Sequence, residues 1–342
     1  MVQYFDPQLI NGPFDDPGLY VDLIFQRRAL LFDLGDISPL SPRKLMRLEH
    51  VFVTHRHMDH FIGFDRLLRC LLGREKTLGL WGGPGLIQAV ESKLDAYTWN
   101  LIEGYDGNLV LRVGELSQDA EIRIAAFSGA RRFLREDVGS YKCADGALVA
   151  DPGFIVRAAF LDHGIPALAF ALEERAHINI WRQRVEASGL VVGPWLRAFK
   201  DAVVRGECDG VPIPVAWADN AVSRPATLPL GQLKSQIMKV TRGRKIAYVV
   251  DAAYTPRNIE VILALARGAD VLFIEAPFLD AEADRAAARC HLTARQAGTL
   301  ARWAGVSQLR TFHYSPRYRD RESSLAEEAR AAFSNVEAAA PR

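Results

Sequence analysis

Short apolar runs recur along the chain, separated by turn residues or by segments with helical spacing. Runs rich in β-branched and aromatic residues predict strands. They cover residues 20–25, 29–32, 51–53, 122–127, 154–159, 167–172, 246–250, 271–274 and 309–312. Helical spacing of apolar positions predicts helices over residues 63–72, 85–94, 258–266 and 293–304. Strands flanked by helices in both halves predict two sheets sandwiched between helical layers.

The segment from Ala176 to Val240 interrupts this rhythm. It contains two short helical patterns broken at Gly189 to Pro194, followed by the Pro-rich stretch VPIPVAW. Proline and glycine in these positions end regular elements. The pattern is typical of an insertion, and by itself it leaves open whether the segment is a protruding arm or a set of ordinary core helices.

Composition limits the class of protein. The chain has 342 residues, 49% hydrophobic and 24% charged, which is enough for one large domain or two ordinary ones. The formal net charge is only +1, so a nucleic-acid site has to be a local patch. Four scattered cysteines, the absence of a signal-peptide core before Phe14 and the lack of an apolar run of about 18 residues favour a cytoplasmic protein.

The stretch VTHRHMDH places three of the chain's eight histidines within six positions, directly after a predicted strand. His55 and His57 alternate, so in an extended segment their imidazoles face the same side. Asp59 and His60 follow and, in a turn, can address a second point a few ångströms away. Imidazole and carboxylate ligands suit Zn²⁺ or Mn²⁺. The spacing therefore predicts a metal site.

Further candidate ligands follow predicted strands elsewhere in the chain. They are His163, Asp251 and His313. Taken singly, each is equally well explained as a polar residue at a turn. His291 stands just before a predicted helix, where Thr293 is the more natural N-cap.

In their order along the chain, these motifs resemble those of ribonuclease Z, a family of the metallo-β-lactamase superfamily. VTHRHMDHFIGFDRLL resembles its THxHxDHxxGLxxLL, WGGPGL its YGPxG turn and LDHGIPALAFALEE its histidine strand. VVDAAYTP stands where the family has GDT, ADVLFIEAPF resembles its HEATF, and the stretch HLTARQAGTLARWAGVSQLRTFHYSPRY resembles its HSTxxQAxxxAxxAxxxxLxxTHFSxRY. The resemblance covers most of residues 45–95 and 155–320.

The resemblance implies an α/β metallo-β-lactamase fold, an αββα sandwich of two mixed sheets with helices on both outer faces. It implies a single domain over residues 1–342 with an arm inserted at residues 176–240. It also implies a homodimer. An arm of this kind, with a Gly-Pro turn, grips tRNA in the family, and GLVVGPWLRAFKDAVVRG resembles it.

The resemblance also implies roles for particular residues. His55, His57 and His163 would bind one metal ion, and Asp59, His60 and His313 the other, with Asp251 bridging both. Glu275 and His291 match a pair that lies near the leaving 3′-oxygen in the family. The implied cofactors are two divalent ions, Zn²⁺ first and Mn²⁺ as the alternative. The catalytic candidates are Asp59, Glu275 and His291.

Basic residues in the inserted segment are candidates for phosphate binding. Between Ala176 and Arg205 five basic residues stand against two acidic ones. They predict a modest phosphate-binding surface, and the alternative is a solvated helical face. The basic residues are Arg182, Arg184, Arg197, Lys200 and Arg205.

The chain departs from the family pattern in three places. The amino terminus lacks the FLGTG and GEGTQ stretches, and Val250 and Ala252 replace the residues around the GDT aspartate. Residues 115–142 match nothing in the pattern and are interpreted as an insertion. These departures weaken the inference of the substrate more than that of the metal site, because the affected residues are not ligands.

Two functional hypotheses remain. The first is an endonuclease that processes the 3′ end of precursor tRNA, or a closely similar phosphodiesterase. The second is a hydrolase of a small phosphodiester, sulfate ester or lactone on the same fold, with the arm used in dimer contacts. A metal-binding scaffold without turnover is disfavoured, because all seven ligand positions are filled.

Overall fold

The computed structural model describes residues 4–24, 26–175, 177–219 and 222–335. The chain divides into two compact units. The first consists of Met1–Val149, Val156–Leu172 and Lys245–Arg342, and the second of Ala150–Ile155 and Glu173–Arg244. All four cysteines are free. No helix in the described ranges is long and apolar enough to cross a membrane.

The strands of the described residues are numbered in chain order. They are β1 Phe5–Leu9, β2 Leu19–Leu23, β3 Arg28–Phe32, β4 Leu48–Val53, β5 Lys76–Gly82, β6 Leu109–Leu116, β7 Glu121–Ser128, β8 Arg135–Lys142, β9 Ala147–Ala150, β10 Phe154–Asp162, β11 Pro166–Glu174, β12 His177–Ile180, β13 Pro212–Asp219, β14 Val222–Pro229, β15 Met238–Thr241, β16 Lys245–Val249, β17 Val271–Glu275 and β18 Leu309–Phe312.

The α-helices are numbered in the same way. They are α1 Pro42–Leu45, α2 Met58–Phe61, α3 Phe64–Leu71, α4 Leu86–Asp95, α5 Arg182–Ala187, α6 Trp195–Val204, α7 Leu230–Ile237, α8 Pro256–Ala266, α9 Ala283–Ala288, α10 Ala294–Trp303 and α11 Glu322–Ser334. The predicted helices and strands are confirmed, with bounds that differ by a few residues.

The first sheet of the first unit holds eight strands in the order β1 to β8. Its strands pair in parallel from β3 to β6, and the outer pairs on both sides are antiparallel. Residues 115–142, interpreted from sequence as an insertion, instead supply the end of β6 and the whole of β7 and β8. The segment is therefore part of the sheet.

The second sheet has the order β18-β17-β16-β11-β10-β9. Within it, β16, β17 and β18 pair in parallel. Parallel strands place their carboxyl ends at one edge of a sheet, so the residues that follow β16, β17 and β18 come together there. This geometry positions part of the candidate site.

Aromatic side chains join the two sheets. The Phe32 ring on β3 lies 4.9 Å from Phe52 on β4 in the same sheet. It also lies 5.7 Å from Phe170 and 6.0 Å from Tyr248, which belong to β11 and β16 of the second sheet. Side chains alternate across a strand. The neighbours of these aromatic residues therefore face the opposite, outer sides of the sheets.

Helices cover the two outer sides. Val51 and Val53 of the first sheet share a core cluster with the buried residues of α3 and α4. Ala247 and Val249 of the second sheet share another with buried residues of α8, α10 and α11. The first unit is thus an αββα sandwich of two mixed sheets, as predicted. Its fold is the predicted α/β class.

The second unit has its own small core. Strands β12 and β15 pair antiparallel, and β13 and β14 form a second antiparallel pair. Helices α5 to α7 bury side chains that include Val185, Phe199 and Leu233. Helices α5 and α6 flank the predicted break, whereas the Pro-rich stretch, which sequence left without an element, begins β13.

This unit contains the whole segment predicted as an inserted arm, residues 176–240. Residues 176, 220 and 221 of it lie outside the described residues. The role of the segment as an arm stays a prediction.

Candidate metal centre and active site

The predicted site residues of the first unit lie where strands end. His55 and His57 follow β4, and His163 lies in the turn between β10 and β11. Asp251 follows β16, Glu275 ends β17, and His313 follows β18. Asp251 and His313 adopt φ angles of 54° and 58°, in the left-handed region that only a few per cent of non-glycine residues occupy.

One group of ligand atoms comes from His55, His57, His163 and Asp251, all within 4.8 Å of one another. Asp251 Oδ2 lies 3.3 Å from His55 Nε2 and 3.1 Å from His163 Nε2. The His57 and His163 rings are 5.3 Å apart. The structure therefore brings together three histidines and one carboxylate from three separate segments of the chain.

A second group consists of Asp59, His60 and His313. Asp59 Oδ2 lies 3.5 Å from His60 Nε2 and 3.3 Å from His313 Nε2. Asp251 borders this group as well, because its Oδ2 is 3.5 Å from His60 Nε2 and its Oδ1 is 3.3 Å from His313 Nδ1. Of the carboxylates, Asp251 stands next to members of both groups.

Contacts on the far side of three of the imidazoles, those of His55, His60 and His163, fix their orientation. His163 Nδ1 donates to the carbonyl oxygen of Cys290 at 2.8 Å. His60 Nδ1 lies 2.9 Å from a carboxylate oxygen of Asp33, and His55 Nδ1 lies 3.1 Å from Thr54 Oγ1. Metal-binding histidines are held in this manner by a partner at the other ring nitrogen. Each ring thus directs Nε2 toward the Asp251 carboxylate.

The residues present fit a pair of divalent cations. Four buried atoms at the centre have no hydrogen-bond partner among the described residues: His55 Nε2, His60 Nε2, Asp251 Oδ1 and His313 Nδ1. Burying polar atoms without a partner is costly, so native proteins supply one. Neutral imidazole nitrogens with carboxylate oxygens are a donor set for Zn²⁺ or another first-row divalent ion.

The electrostatics of the site favour positive charge at its centre. Burial disfavours the charged imidazole of His60, but the carboxylates of Asp33 and Asp251 outweigh burial and raise its pKa well above the usual value. Burial also opposes protonation of His313, yet Asp251 and Asp59 raise its pKa to about 10. The same carboxylates would attract bound cations.

Asp33 is a residue of this site that sequence reasoning missed. It follows β3, is fully buried and has a φ angle of 60°. Besides contacting His60, its carboxylate accepts hydrogen bonds from Thr54 N at 2.8 Å and from Tyr248 Oη at 3.0 Å. The only signal in the sequence was an acidic residue directly after the apolar run ALLF.

The structure brings the Glu275 and His291 pair together. His291 Nδ1 lies 2.8 Å from Glu275 Oε2, and the other Glu275 oxygen accepts hydrogen bonds from the backbone of Ala252 and Leu292. Burial raises the pKa of Glu275, but the His291 charge and hydrogen bond outweigh it and lower that pKa to about 2. A fixed carboxylate therefore orients an imidazole whose ring is 4.9 Å from that of His163.

The five basic candidates of the second unit are all exposed. Arg182 Nε pairs with Glu186 at 3.0 Å, and Arg205 pairs with Glu207 at 2.7 Å. The Arg184 guanidinium stacks 3.8 Å from the centre of the Trp181 ring. In the described part of the chain, Arg197 and Lys200 of α6 have no ion-pair partner.

Solved structures share this fold. The metallo-β-lactamase fold protein YhfI from Bacillus subtilis aligns with a TM-score of 0.53 and 15% identity, over 96% of this chain and 95% of its own. The long-form RNase Z from yeast aligns with a TM-score of 0.55 and 13% identity, over 93% of this chain and 38% of its own. The sandwich and its histidine-rich edge define a metallo-β-lactamase-fold protein.

Among known sequences, the chain resembles ribonuclease Z, as its motifs predicted. Ribonuclease Z from Deinococcus radiodurans is 29% identical over 318 residues, which cover 91% of this chain and 90% of that protein. Ribonuclease Z from Brevibacillus brevis is 28% identical, with 87% and 79% covered. No protein-family model matches the chain.

Proposed function

We propose that this protein is a two-metal phosphodiesterase that hydrolyses precursor tRNA at its 3′ end. The single observation that carries the proposal is the position of Asp251, which belongs to the first ligand group and lies next to His60 and His313 of the second. The long sequence similarity to ribonuclease Z supports tRNA as the substrate.

In this proposal His55, His57 and His163 would hold one ion and Asp59, His60 and His313 the other, and Asp251 would be available as a ligand to either. Two such ions supply a water of lowered pKa and neutralise charge on a phosphoryl oxygen. Asp33, Thr54 and the Cys290 carbonyl keep the imidazoles in place, so that the ligands need no reorganisation during the reaction.

His291 is the proposed acid for the leaving oxygen. Its Nδ1 is held by Glu275, which leaves Nε2 free to carry or deliver a proton at the departing 3′-oxygen. Asp59 lies at the edge of the site and is partly exposed, so it combines a ligand position with access from solvent.

The decisive experiment measures turnover of precursor tRNA and of bis(p-nitrophenyl) phosphate by the metal-loaded protein. We expect both to be hydrolysed, with the tRNA preferred, and we expect Asp251→Asn to remove nearly all activity on both. Hydrolysis of the small ester alone would favour the small-molecule hydrolase. No hydrolysis of either by fully loaded protein would contradict the proposed function.

Three finer features belong to the same proposal. Zn²⁺ is the expected ion, which elemental analysis of protein purified without added metal would test. A homodimer is expected, to be checked by light scattering coupled to gel filtration. A cytoplasmic location follows from the scattered free cysteines and from the tRNA substrate.

A further inference from the structure

A pocket of about 440 Å³ lies beside the first ligand group, in the first unit. Its volume is within the roughly 300–1,000 Å³ typical of small-molecule sites. One side is formed by His55 and His57, and the rest is largely apolar, with Leu86, Ile165 and Pro166 in its wall. The side chain of Ile165 is 40% exposed.

Arg56 supplies the positive charge of this pocket. It stands between the two histidines of the motif and lines the pocket with them. Within the described residues, no carboxylate forms an ion pair with its exposed guanidinium. An arginine that faces a pocket without a carboxylate partner presents its full set of donors to a ligand. Phosphate oxygens match that planar fork.

Gly85, the residue before α4, makes room for this arginine. It has a φ of 87°, and a Cβ atom added there would lie 2.6 Å from Arg56 Nη2 and 2.9 Å from Cζ. The guanidinium therefore rests directly against the backbone at Gly85. Both the φ angle and this close approach favour glycine. The Arg56 guanidinium thus lies beside Gly85 at the start of α4.

We propose that Arg56 binds a phosphate of the RNA next to the scissile one, while the apolar wall holds the accompanying base. The inference rests on the proposed function, because the scissile phosphate is taken to lie at the metal centre. Each nucleotide of an RNA chain adds a base and a further anion, which matches a largely apolar pocket with a guanidinium that pairs with no carboxylate of the described residues. Arg56 is then a substrate-positioning residue with no role as a ligand or acid.

The test compares Arg56→Gln with the unaltered enzyme on two substrates. Precursor tRNA carries neighbouring phosphates, whereas bis(p-nitrophenyl) phosphate carries only the reacting one. We expect kcat/KM to fall about tenfold more for the tRNA than for the small ester, mostly through KM, since the variant cannot form the charge-assisted hydrogen bonds to the neighbouring phosphate. Arg56→Lys should recover part of the affinity, because it keeps the charge without the fork.

A matched control is Arg69→Gln, which removes the same charge from an exposed position on α3 outside the pocket. It should change the kinetics on neither substrate. Equal losses on both substrates in Arg56→Gln would place Arg56 at the reacting phosphate or at the ligands and would overturn the inference. So would an unchanged KM for the tRNA.

Direct binding separates this inference from the proposed function. For a labelled single-stranded RNA, the slope of log Kd against log salt should be lower in Arg56→Gln by about 0.7, the value for one phosphate contact. An unchanged slope contradicts the role of Arg56 even if the enzyme cleaves tRNA. A changed slope in a protein that cleaves no tRNA contradicts the proposed function and leaves Arg56 as an RNA contact.

Discussion

Asp33 is a buried side chain that holds candidate ligands in place from outside the two ligand groups. Its carboxylate holds His60 Nδ1, the Thr54 backbone and the Tyr248 hydroxyl. We expect Asp33→Asn to weaken metal affinity about 10- to 100-fold, which is the usual effect of removing a hydrogen-bond partner of a metal-binding histidine. Asparagine keeps the shape and tolerates the φ of 60° at this position. Metal titration monitored by competition with a chromogenic chelator measures the change.

The control for this variant is Asp65→Asn. Asp65 is an acidic residue of α3 whose carboxylate pairs with Lys93 and not with a candidate ligand. It should bind metal normally. If Asp33→Asn also binds metal with unchanged affinity, the orientation of His60 does not depend on Asp33.

His291 gives a prediction about the leaving group. His291→Ala should slow hydrolysis of esters with poor alkoxide leaving groups by about 10²–10⁴-fold, which is the usual contribution of a general acid to the rate. Aryl esters such as p-nitrophenyl phosphates, whose leaving oxygen needs little help, should be slowed much less. Metal content should stay normal, because His291 is not among the assigned ligands. Equal effects on both kinds of ester would show that His291 does not protonate the leaving oxygen.

At the scale of elements, helix α6 carries the sharpest test of the predicted arm. Deleting residues 182–205 would remove the buried Val185, Trp195 and Phe199 of the second unit's core. Charge removal is therefore the cleaner change. Arg197 and Lys200 lie three residues apart on α6, and both are exposed.

Arg197→Gln with Lys200→Gln should reduce the salt dependence of tRNA binding by about one unit of slope for each phosphate that the variant no longer binds. The KM for precursor tRNA should rise far more than the KM for bis(p-nitrophenyl) phosphate. Arg66→Gln with Arg69→Gln is the matched control, because these two arginines are also exposed and three residues apart, on α3 of the first unit. No salt-dependent tRNA affinity in the unaltered protein would favour the small-molecule hydrolase instead.

For the whole molecule, metal binding should contribute to stability. The ligands follow strands of both sheets of the sandwich, so the ions would join segments that are distant in the chain. A ligand that binds only the folded state stabilises it by about 2.7 kcal/mol at one hundred times its Kd. We therefore expect a chelator to lower the melting temperature by several degrees, and metal addition to restore it.

Differential scanning calorimetry measures this shift, and Asp251→Asn provides the control. That variant should melt at nearly the same temperature with and without chelator, because it binds metal weakly. If neither chelator nor added metal changes the melting temperature of the unaltered protein, the centre does not bind ions tightly.

The sequence determined those features whose signal is local. The short apolar runs of β3, β4 and β16 and the helical spacing of α8 and α10 involve only residues close together in the chain, so the sequence alone located these elements. The HxHxDH motif is equally local, because six consecutive positions contain four of the candidate ligands. The remaining candidates needed the family resemblance, since single polar residues after strands have many explanations.

Only the tertiary structure decided which polar groups meet. Asp33 and Tyr248 are 215 positions apart, and nothing in either neighbourhood indicates their hydrogen bond. The contact between Arg56 and Gly85 was equally absent from the local sequence pattern. The Pro-rich stretch also gave no local sign that it forms strand β13 by pairing with β14. Such contacts depend on how strands are ordered and on the space between packed elements, and these arise only once distant segments fold together.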